Sequence, residues 1–151
     1  MTDNTDALPQ LKLTNQICHA LYSATNALIR AYRPLLEPLD LTYPQYLVML
    51  SLWEEDGVPI RTLVHQTRLD SGTLTPILKR LEQKGLLIRG RAATDERSKT
   101  ITLTDAGLAL KKQAADVPAA LVCQTDMTAD QALELKALAE TLYQQLQKTP
   151  R

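Results

Sequence analysis

Two cysteines are the residues of this 151-residue sequence best suited to nucleophilic or redox chemistry. Cys18 and Cys123 lie 105 positions apart, without a CxxC pair or a Cys/His cluster, so the spacing does not indicate a structural zinc site. The thiolate is the form of cysteine that attacks other atoms, and thiols in a reducing cell interior normally stay reduced. The sequence alone leaves two interpretations, which are buried packing residues and redox-active groups.

Small polar residues followed by cations form a second set of candidates. Ser71, Thr73 and Thr75 stand at the start of a predicted helix, where short side chains would let the backbone approach base edges in a DNA major groove. Lys79 and Arg80 follow one to two turns later and could reach phosphates. The alternative is an ordinary capped helix with a solvated basic end.

A third set lies in a predicted hairpin. Asp95 stands two residues before Arg97, close enough for its carboxylate to hold the guanidinium extended, ready to enter a narrow minor groove. Arg89, Arg91 and Lys99 on the two strands are expected to lie over phosphates. The alternative is a surface ion pair contributing no more than ~1 kcal/mol.

The distribution of charge along the chain favours a nucleic-acid partner, although the net charge of the whole chain does not. The formal net charge is zero, but the segment from Arg61 to Lys99 has nine basic and four acidic residues, a net +5, which leaves −5 for the remainder. Such asymmetry would make one face attractive to phosphate. The alternative is a set of unrelated solvated faces.

Composition indicates an ordinary globular protein. Hydrophobic residues make up 44% and charged residues 23%, as in typical folded domains. The longest apolar run, Tyr46 to Leu52, is too short to span a bilayer, and no leader-like segment opens the sequence. We therefore expect a cytoplasmic protein without a membrane partner.

The elements that must position these residues begin with a long helix. Apolar residues spaced three and four apart predict a helix from Leu11 to Leu36, which Pro34 should bend or end. Cys18 falls on a stripe next to the main apolar face. A helix with more than one apolar stripe indicates packing against its own domain and against a second subunit.

Three helices and a hairpin are predicted in the middle of the chain. Thr42 and Gln45 form a capping box, Pro59 precedes a short helix, and Asp70 or Ser71 caps the next helix. The spacing of apolar residues then changes from the helical period to the strand period. Two such strands are predicted, one on each side of a polar loop over 92–98. The predicted ranges are Tyr43–Glu55, Ile60–Gln66, Ser71 to Gly85, Leu86–Arg91 and Lys99–Leu103. This order predicts a winged helix-turn-helix in a mainly α fold with a small β-hairpin.

Further helices are predicted after the hairpin. Thr104 or Asp105 caps one that runs to about Gln124 and is kinked at Pro118, and a capping box starts another at Thr128. Apolar helices at both ends of the chain indicate a helical dimerisation layer. We expect one domain over 1–151, with dimerisation helices over 8–36 and 105–148 and a winged helix-turn-helix region over 42–104.

These segments together resemble a known family. Leu69 to Leu87, Asp95 to Lys99 and Thr102 to Gly107 resemble the MarR family of winged-helix repressors, whose Asp-x-Arg hairpin lies in the minor groove. Asn15 to Ser23 and Leu41 to Tyr46 are similar to its organic hydroperoxide repressor branch, OhrR. The resemblance spans nearly the whole chain. It implies a homodimeric repressor that binds a pseudo-palindromic operator in double-stranded DNA and needs no cofactor or metal.

The resemblance also assigns roles to the thiols. It implies that Cys18 reacts with organic hydroperoxides, and that Tyr32 and Tyr43 hydrogen-bond it, which would stabilise the thiolate. Tyr22, one turn beyond Cys18, would line the same pocket. Cys123 matches the second cysteine of two-cysteine members, which implies a disulfide with oxidised Cys18 of the other subunit. The alternative for Cys123 is inert packing.

Other functions remain open at this point. One is a MarR-type repressor released by a small phenolic ligand between the dimerisation layer and the winged domain, with structural cysteines. Another is a thiol peroxidase, although no peroxidase signature is visible and we expect no enzyme; a third is an interaction module without affinity for DNA. His19 is expected in a dimer interface or at the surface, and His65 either near a phosphate or in solvent.

Overall fold

The computed structural model describes the main chain of residues 8–92 and 95–148 and the side chains of 8–90 and 99–148. These residues divide into two compact units, one ending at Val117 and the other beginning at Pro118. The elements are α1 (Ile17–Leu36), α2 (Tyr43–Glu54), β1 (Val58–Pro59), α3 (Ile60–Thr67), α4 (Ser71–Gln83), β2 (Leu87–Ala92), β3 (Asp95–Leu103), α5 (Asp105–Ala114), α6 (Val117–Val122) and α7 (Ala129–Gln147). The predicted mainly α fold with a helix-turn-helix and a β wing is confirmed.

The first helix begins later than the apolar spacing predicts. Residues 9–11 and 13–15 form short 3-10 turns, and α1 starts only at Ile17. The side-chain amide of Gln16 donates to the carbonyls of Gln10 and Lys12 at 2.8 and 2.9 Å, which closes these turns in place of a regular helix. The expected helical start at Leu11 is therefore wrong, because apolar spacing does not distinguish consecutive turns from one helix.

The end of α1 is followed by a tight turn. Pro34 lies inside the helix without ending it, and a 3-10 turn over Glu37–Leu39 follows. Asp40 then adopts a left-handed backbone conformation with φ of 53°. This turn brings the chain directly to the cap of α2.

Capping boxes start two helices as predicted. At α2 the Gln45 N–H donates to Thr42 Oγ1 at 3.3 Å, and the Thr42 N–H donates to Gln45 Oε1 at 3.1 Å. At α7 the same reciprocal bonds join Thr128 and Gln131, at 2.9 and 3.2 Å. Each box satisfies backbone groups that a helix N-terminus otherwise leaves without partners.

Helix α4 has both of its predicted end signals. Asp70 provides the cap, since its Oδ1 accepts the Thr73 N–H at 2.7 Å. Gly85 has a φ of +75° just past the helix end, a conformation that favours glycine. Leu74, Leu78 and Leu81 on one face of α4 are fully buried. The opposite face of the helix therefore points to solvent.

The wing is a three-stranded antiparallel sheet in the order β1-β3-β2. Strand β1 was not predicted, because its two residues carry no periodic signal; Val58 pairs with Ile101 and Pro59 with Thr100. Strand β3 begins at Asp95, which is opposite Ala92, so the expected loop over 92–98 is wrong in extent. Main-chain pairing with β2 continues the strand through a segment that lacks apolar alternation.

The predicted kinked helix after the wing is two helices. Thr104, not Asp105, caps α5, because the Gly107 N–H donates to Thr104 Oγ1 at 3.1 Å. Helix α5 ends at Ala114 and α6 starts at Val117. Pro118 is thus the second residue of a new helix, where its missing N–H leaves no bond unmade. It marks a break and not a kink, and the expected continuous helix to Gln124 is wrong.

The core lies in the unit that ends at Val117. Buried residues of α2 pack with the leucines of α3 and α4 and with β2, β3 and α5. The Trp53 indole N–H donates to the Gly107 carbonyl at 2.9 Å, which ties α2 to α5. None of the described helices is long and apolar enough to cross a membrane.

Large apolar side chains remain outside this core. On α1 Ile17 is 73% exposed, and Leu28 and Ile29 are also exposed; on α7 Leu133 and Leu138 are more than 60% exposed. No residue of α7 is buried. Exposed apolar faces of this kind mark sites of interaction with another protein, a membrane or a ligand.

Candidate nucleic-acid interface and thiol site

Helix α4 presents the predicted polar face to solvent. Ser71 and Thr73 in its first turn and Lys79 and Arg80 further along are exposed. Because the leucine face is buried, this exposed face is the one that can meet a ligand. The first turn carries the positive end of the helix dipole, so its geometry suits an approach to base edges and phosphates.

Thr75 is more constrained than the sequence suggests. Its side chain is exposed, but its hydroxyl donates to the Ser71 carbonyl at 2.8 Å. The prediction that this hydroxyl contacts a base is therefore restricted to accepting a hydrogen bond. Pro76 follows within the helix and lacks the N–H that would bond to the Gly72 carbonyl.

Arg89 has a protein partner that was not predicted. Its Nε lies 2.6 Å from Glu82 Oε2, and this hydrogen bond to Arg89 holds the pKa of the Glu82 carboxyl below its usual value. The pair joins α4 to β2 and is one of the contacts between the wing and α4. A phosphate contact through its remaining N–H groups stays a prediction.

A cavity of about 410 Å³ opens between the start of α3, α4 and the base of the wing. Arg61, Arg89 and Lys99 line it together with Thr75 and apolar residues. Three cationic side chains therefore line one cavity beside α4, and one of them, Arg89, is paired with Glu82. The other predicted wing residues, Arg91, Asp95 and Arg97, have side chains outside the described residues, and their contacts with DNA stay predictions.

Both cysteines are exposed in the chain, and neither forms a disulfide. Cys18 is the second residue of α1, and Tyr22 one turn later is 69% exposed. Cys123 follows α6 in the unit that begins at Pro118. The interpretation of the thiols as buried packing residues therefore does not hold within a single chain.

Tyr32 and Tyr43, the two tyrosines expected to hydrogen-bond Cys18, lie together. Their ring centroids are 4.8 Å apart, and Tyr46 packs 5.7 Å from Tyr32 and 6.4 Å from Tyr43. Burial, with smaller contributions from Tyr43 and Tyr46, raises the pKa of Tyr32 to about 12, and burial also raises the pKa of Tyr43. Both hydroxyls consequently stay protonated near neutral pH and can donate hydrogen bonds.

Tyr46 is the member of this cluster that sequence reasoning missed. It is buried in the core, and burial, followed by the neighbouring Tyr43, raises its pKa. The available signal was its position three residues after Tyr43, which places both rings on adjacent parts of one helix face.

Cys18 and Tyr32 of one chain are not in contact. Tyr32 comes fourteen positions after Cys18 in the continuous helix α1, which corresponds to about 21 Å along the helix axis. Any hydrogen bond between these two side chains therefore requires a second copy of the chain. His19 and His65 are both exposed, and no group of His, Cys, Asp and Glu among the described residues could hold a metal ion.

Comparison with known proteins agrees with this arrangement. A family model described as transcriptional regulator SarA/Rot matches residues 30–114. An organic hydroperoxide resistance transcriptional regulator of Bacillus subtilis (strain 168) is 44% identical over 138 residues, which are 89% of this chain and 94% of that protein.

Solved structures of AbfR, a protein of Staphylococcus epidermidis, are similar over nearly the whole chain. Reduced AbfR bound to DNA has a TM-score of 0.78 at 36% identity, covering 93% of this chain and 96% of that one. Disulfide-formed AbfR has a TM-score of 0.65 at 35% identity, covering 91% and 95%. A second relative, the HTH-type transcriptional regulator TtmR of Methylorubrum extorquens (strain PA1), is 48% identical over 130 residues, which are 86% of this chain and 65% of that protein. This chain belongs to the winged-helix transcriptional regulators of the MarR and SarA/Rot type, in the organic hydroperoxide resistance group.

Proposed function

We propose that this chain is a cytoplasmic homodimeric repressor that binds a pseudo-palindromic operator while Cys18 is reduced and releases it when an organic hydroperoxide oxidises Cys18. The observation that carries the proposal is the layout of α1, with an exposed thiol in its first turn and the protonated tyrosine cluster fourteen residues later. The resemblance to the organic hydroperoxide resistance regulator supports the same assignment.

Dimerisation accounts for the apolar surface that one chain leaves exposed. The exposed leucines and isoleucines of α1 and α7 lie within the ranges 8–36 and 105–148 that the sequence assigns to dimerisation. In a two-fold symmetric dimer the two α4 helices would enter successive major grooves about 34 Å apart.

Each winged domain would contact DNA through two elements. Ser71 and Thr73 approach base edges, while Lys79 and Arg80 contact phosphates. The wing follows the adjacent minor groove, with Arg97 in β3 as the minor-groove residue and Arg91 beside the backbone. The similarity to AbfR, which has been solved bound to DNA, supports this mode of binding.

The sensing site would combine residues from both subunits. Because Cys18 is about 21 Å from Tyr32 along α1, the tyrosine hydroxyls of one subunit would donate to the Cys18 sulfur of the other. The thiolate attacks one oxygen of the hydroperoxide and the O–O bond breaks. The other oxygen leaves as an alkoxide, which takes up a proton to form the alcohol, and Cys18 becomes a sulfenic acid.

Cys123 would complete the reaction. Its thiol attacks the sulfenic sulfur of Cys18 in the partner subunit, which forms a disulfide and releases water. A disulfide needs Cα atoms within about 7 Å, so its formation would draw the dimerisation helices together. The two α4 helices would then lose the separation that the operator requires.

The test measures DNA affinity in two redox states. The reduced protein first selects a duplex from a random pool, and fluorescence anisotropy follows binding to that duplex before and after one equivalent of cumene hydroperoxide. We expect the wild type to release the duplex, and added dithiothreitol to restore binding.

Serine variants separate the roles of the two thiols. Cys18→Ser should bind DNA and ignore the peroxide, whereas Cys123→Ser should lack the intersubunit disulfide on a non-reducing gel. Release of the Cys18→Ser variant by peroxide would contradict the proposed sensor. Release of the wild type by a phenol such as salicylate, with no release of the wild type by peroxide, would favour the ligand-controlled alternative.

A further inference from the structure

A single lysine connects the end of α4 to the cap of α2. Lys84 follows the last residue of α4, and its ammonium group donates to the Asp40 carbonyl and to Gln45 Oε1, the latter at 3.1 Å. The Asp40 carboxylate lies 3.5 Å from the same nitrogen, and the Lys84 side chain is only 21% exposed. All three N–H groups of the ammonium therefore have acceptors at hand.

The acceptors of Lys84 belong to the structure that holds the tyrosine cluster. The Gln45 Oε1 atom that receives the lysine also accepts the Thr42 N–H of the capping box. Tyr43 is the first residue of α2, between the two partners of that box, and its ring packs on Tyr32. One oxygen atom thus lies between the cap beside Tyr43 and the end of α4.

We propose that Lys84 is the positioning residue through which a displacement of Tyr43 and the α2 cap is transmitted to α4. This inference rests on the proposed function, since it concerns how oxidation at Cys18 changes the DNA-binding helix. Movement of Tyr43 shifts the capping box, and Gln45 Oε1 moves with it. Because Lys84 holds that oxygen and the Asp40 carbonyl together, the C-terminal end of α4 must follow or the bonds must break.

The surroundings of the link permit such movement. A cavity of about 340 Å³ is lined by Arg33, Glu37, Asp40, Leu41, Thr42 and Lys84. The turn that carries Asp40 therefore faces open space on one side and is not packed into the core there. Movement of this turn towards the open side would not press on the core, whereas Leu41 and Gln45 on its other side are buried.

The test uses Lys84→Met, which keeps the aliphatic stem and removes the donors. The ratio of the dissociation constants for the selected duplex in the oxidised and reduced states measures the coupling. Couplings between sites are commonly about 5- to 150-fold, and we expect Lys84→Met to reduce the wild-type ratio by about 2- to 30-fold. The rate of Cys18 oxidation by cumene hydroperoxide and the affinity of the reduced protein should stay near their wild-type values.

Lys111→Met is the matched control. Lys111 also donates to a main-chain carbonyl of another helix, that of Trp53 at 3.1 Å, but it lies outside the route from Tyr43 to α4. The ratio of oxidised to reduced dissociation constants in Lys111→Met should equal that of the wild type.

A second variant tests the link in the opposite direction. Gln45→Glu retains the acceptor of the capping box and places a carboxylate against Lys84. The ratio of its oxidised to reduced dissociation constants should therefore equal or exceed that of the wild type. A ratio lowered as in Lys84→Met would contradict the proposal. An unchanged ratio in Lys84→Met, including one in which both dissociation constants rise together, would overturn the role of Lys84 while leaving the proposed function intact. If the wild type itself keeps its DNA after oxidation, the proposed function fails and this inference fails with it.

Discussion

The substitution Gly107→Ala should strongly destabilise the protein. Gly107 is buried in the first turn of α5, and a Cβ added there would lie 2.1 Å from the Leu86 carbonyl oxygen, 3.1 Å from the Leu86 carbonyl carbon and 3.2 Å from Leu103 Cδ2. The first contact involves main-chain atoms at the start of the wing, which cannot rotate away as a side chain could. Either α5 or the segment before β2 must move by roughly 1 Å to restore ordinary contact.

The expected loss of stability follows from the bonds around this site. Overpacking of a core costs about 1–3 kcal/mol. The required shift also strains the bond from the Thr104 N–H to the Leu86 carbonyl and the bond from Trp53 to the Gly107 carbonyl, 3.1 and 2.9 Å long, at about 1 kcal/mol each. Alanine regains up to about 1 kcal/mol through its helix propensity. The net loss is therefore about 2–4 kcal/mol.

Thermal unfolding followed by the fluorescence of Trp53, the sole tryptophan of the sequence, provides the assay. For a chain of this length about 2–4 °C is lost per kcal/mol, so Gly107→Ala should lower Tm by about 5–15 °C at a fixed protein concentration. The matched control is Gly90→Ala, whose added Cβ would meet only the Thr100 carbonyl oxygen at an ordinary 3.9 Å. A Tm of Gly107→Ala within about 2 °C of that control would refute the reasoning.

Three further expectations concern α4 and the tyrosine cluster. The Thr73 N–H lowers the pKa of Asp70 below its usual 3.8, so the stability that this carboxylate adds above pH 3.8 is lost as the pH falls through the lowered pKa. The Tm of the wild type should therefore fall more steeply in acid than that of Asp70→Asn, which keeps a side-chain acceptor without titrating. Because the pKa of Tyr32 is raised from 10.0 to about 12, its neutral form stabilises the fold below pH 10 and this contribution is lost towards pH 12. Urea unfolding of Tyr32→Phe should accordingly depend less on pH over that interval. Lys79→Gln should reduce the slope of log K against log salt by about 0.9 in DNA titrations if Lys79 contacts a phosphate, and an unchanged slope would exclude that contact.

Features governed by neighbouring residues could be predicted from the sequence. The capping boxes, the cap of α4 and the stop at Gly85 depend on residues within three or four positions, and the structure contains each of them. The buried face of α4 was equally predictable, because Leu74, Leu78 and Leu81 recur at helical spacing.

Features that depend on distant partners could not be predicted. Strand β1 exists because Val58 pairs with Ile101 across 43 positions, and Arg89 is held by a carboxylate on a different element. The break between α5 and α6 was missed because a proline in the second position of a helix and a proline inside a longer one give similar patterns. The contacts of Lys84 with Asp40 and Gln45 leave no trace in local spacing at all.

The short strand β1 has a consequence for protein engineering. It joins the residue before α3 to the middle of the wing through the pairs of Val58 and Pro59, and Asp56 Oδ1 also accepts the Leu103 N–H at 2.8 Å. A chimaera that exchanged only α4, or only the hairpin, would place a foreign surface against these pairs. The smallest block that keeps these strand pairs together therefore runs from Asp56 to Leu103. A recipient must still supply acceptors for Lys84, which bonds to Asp40 and Gln45 outside that block.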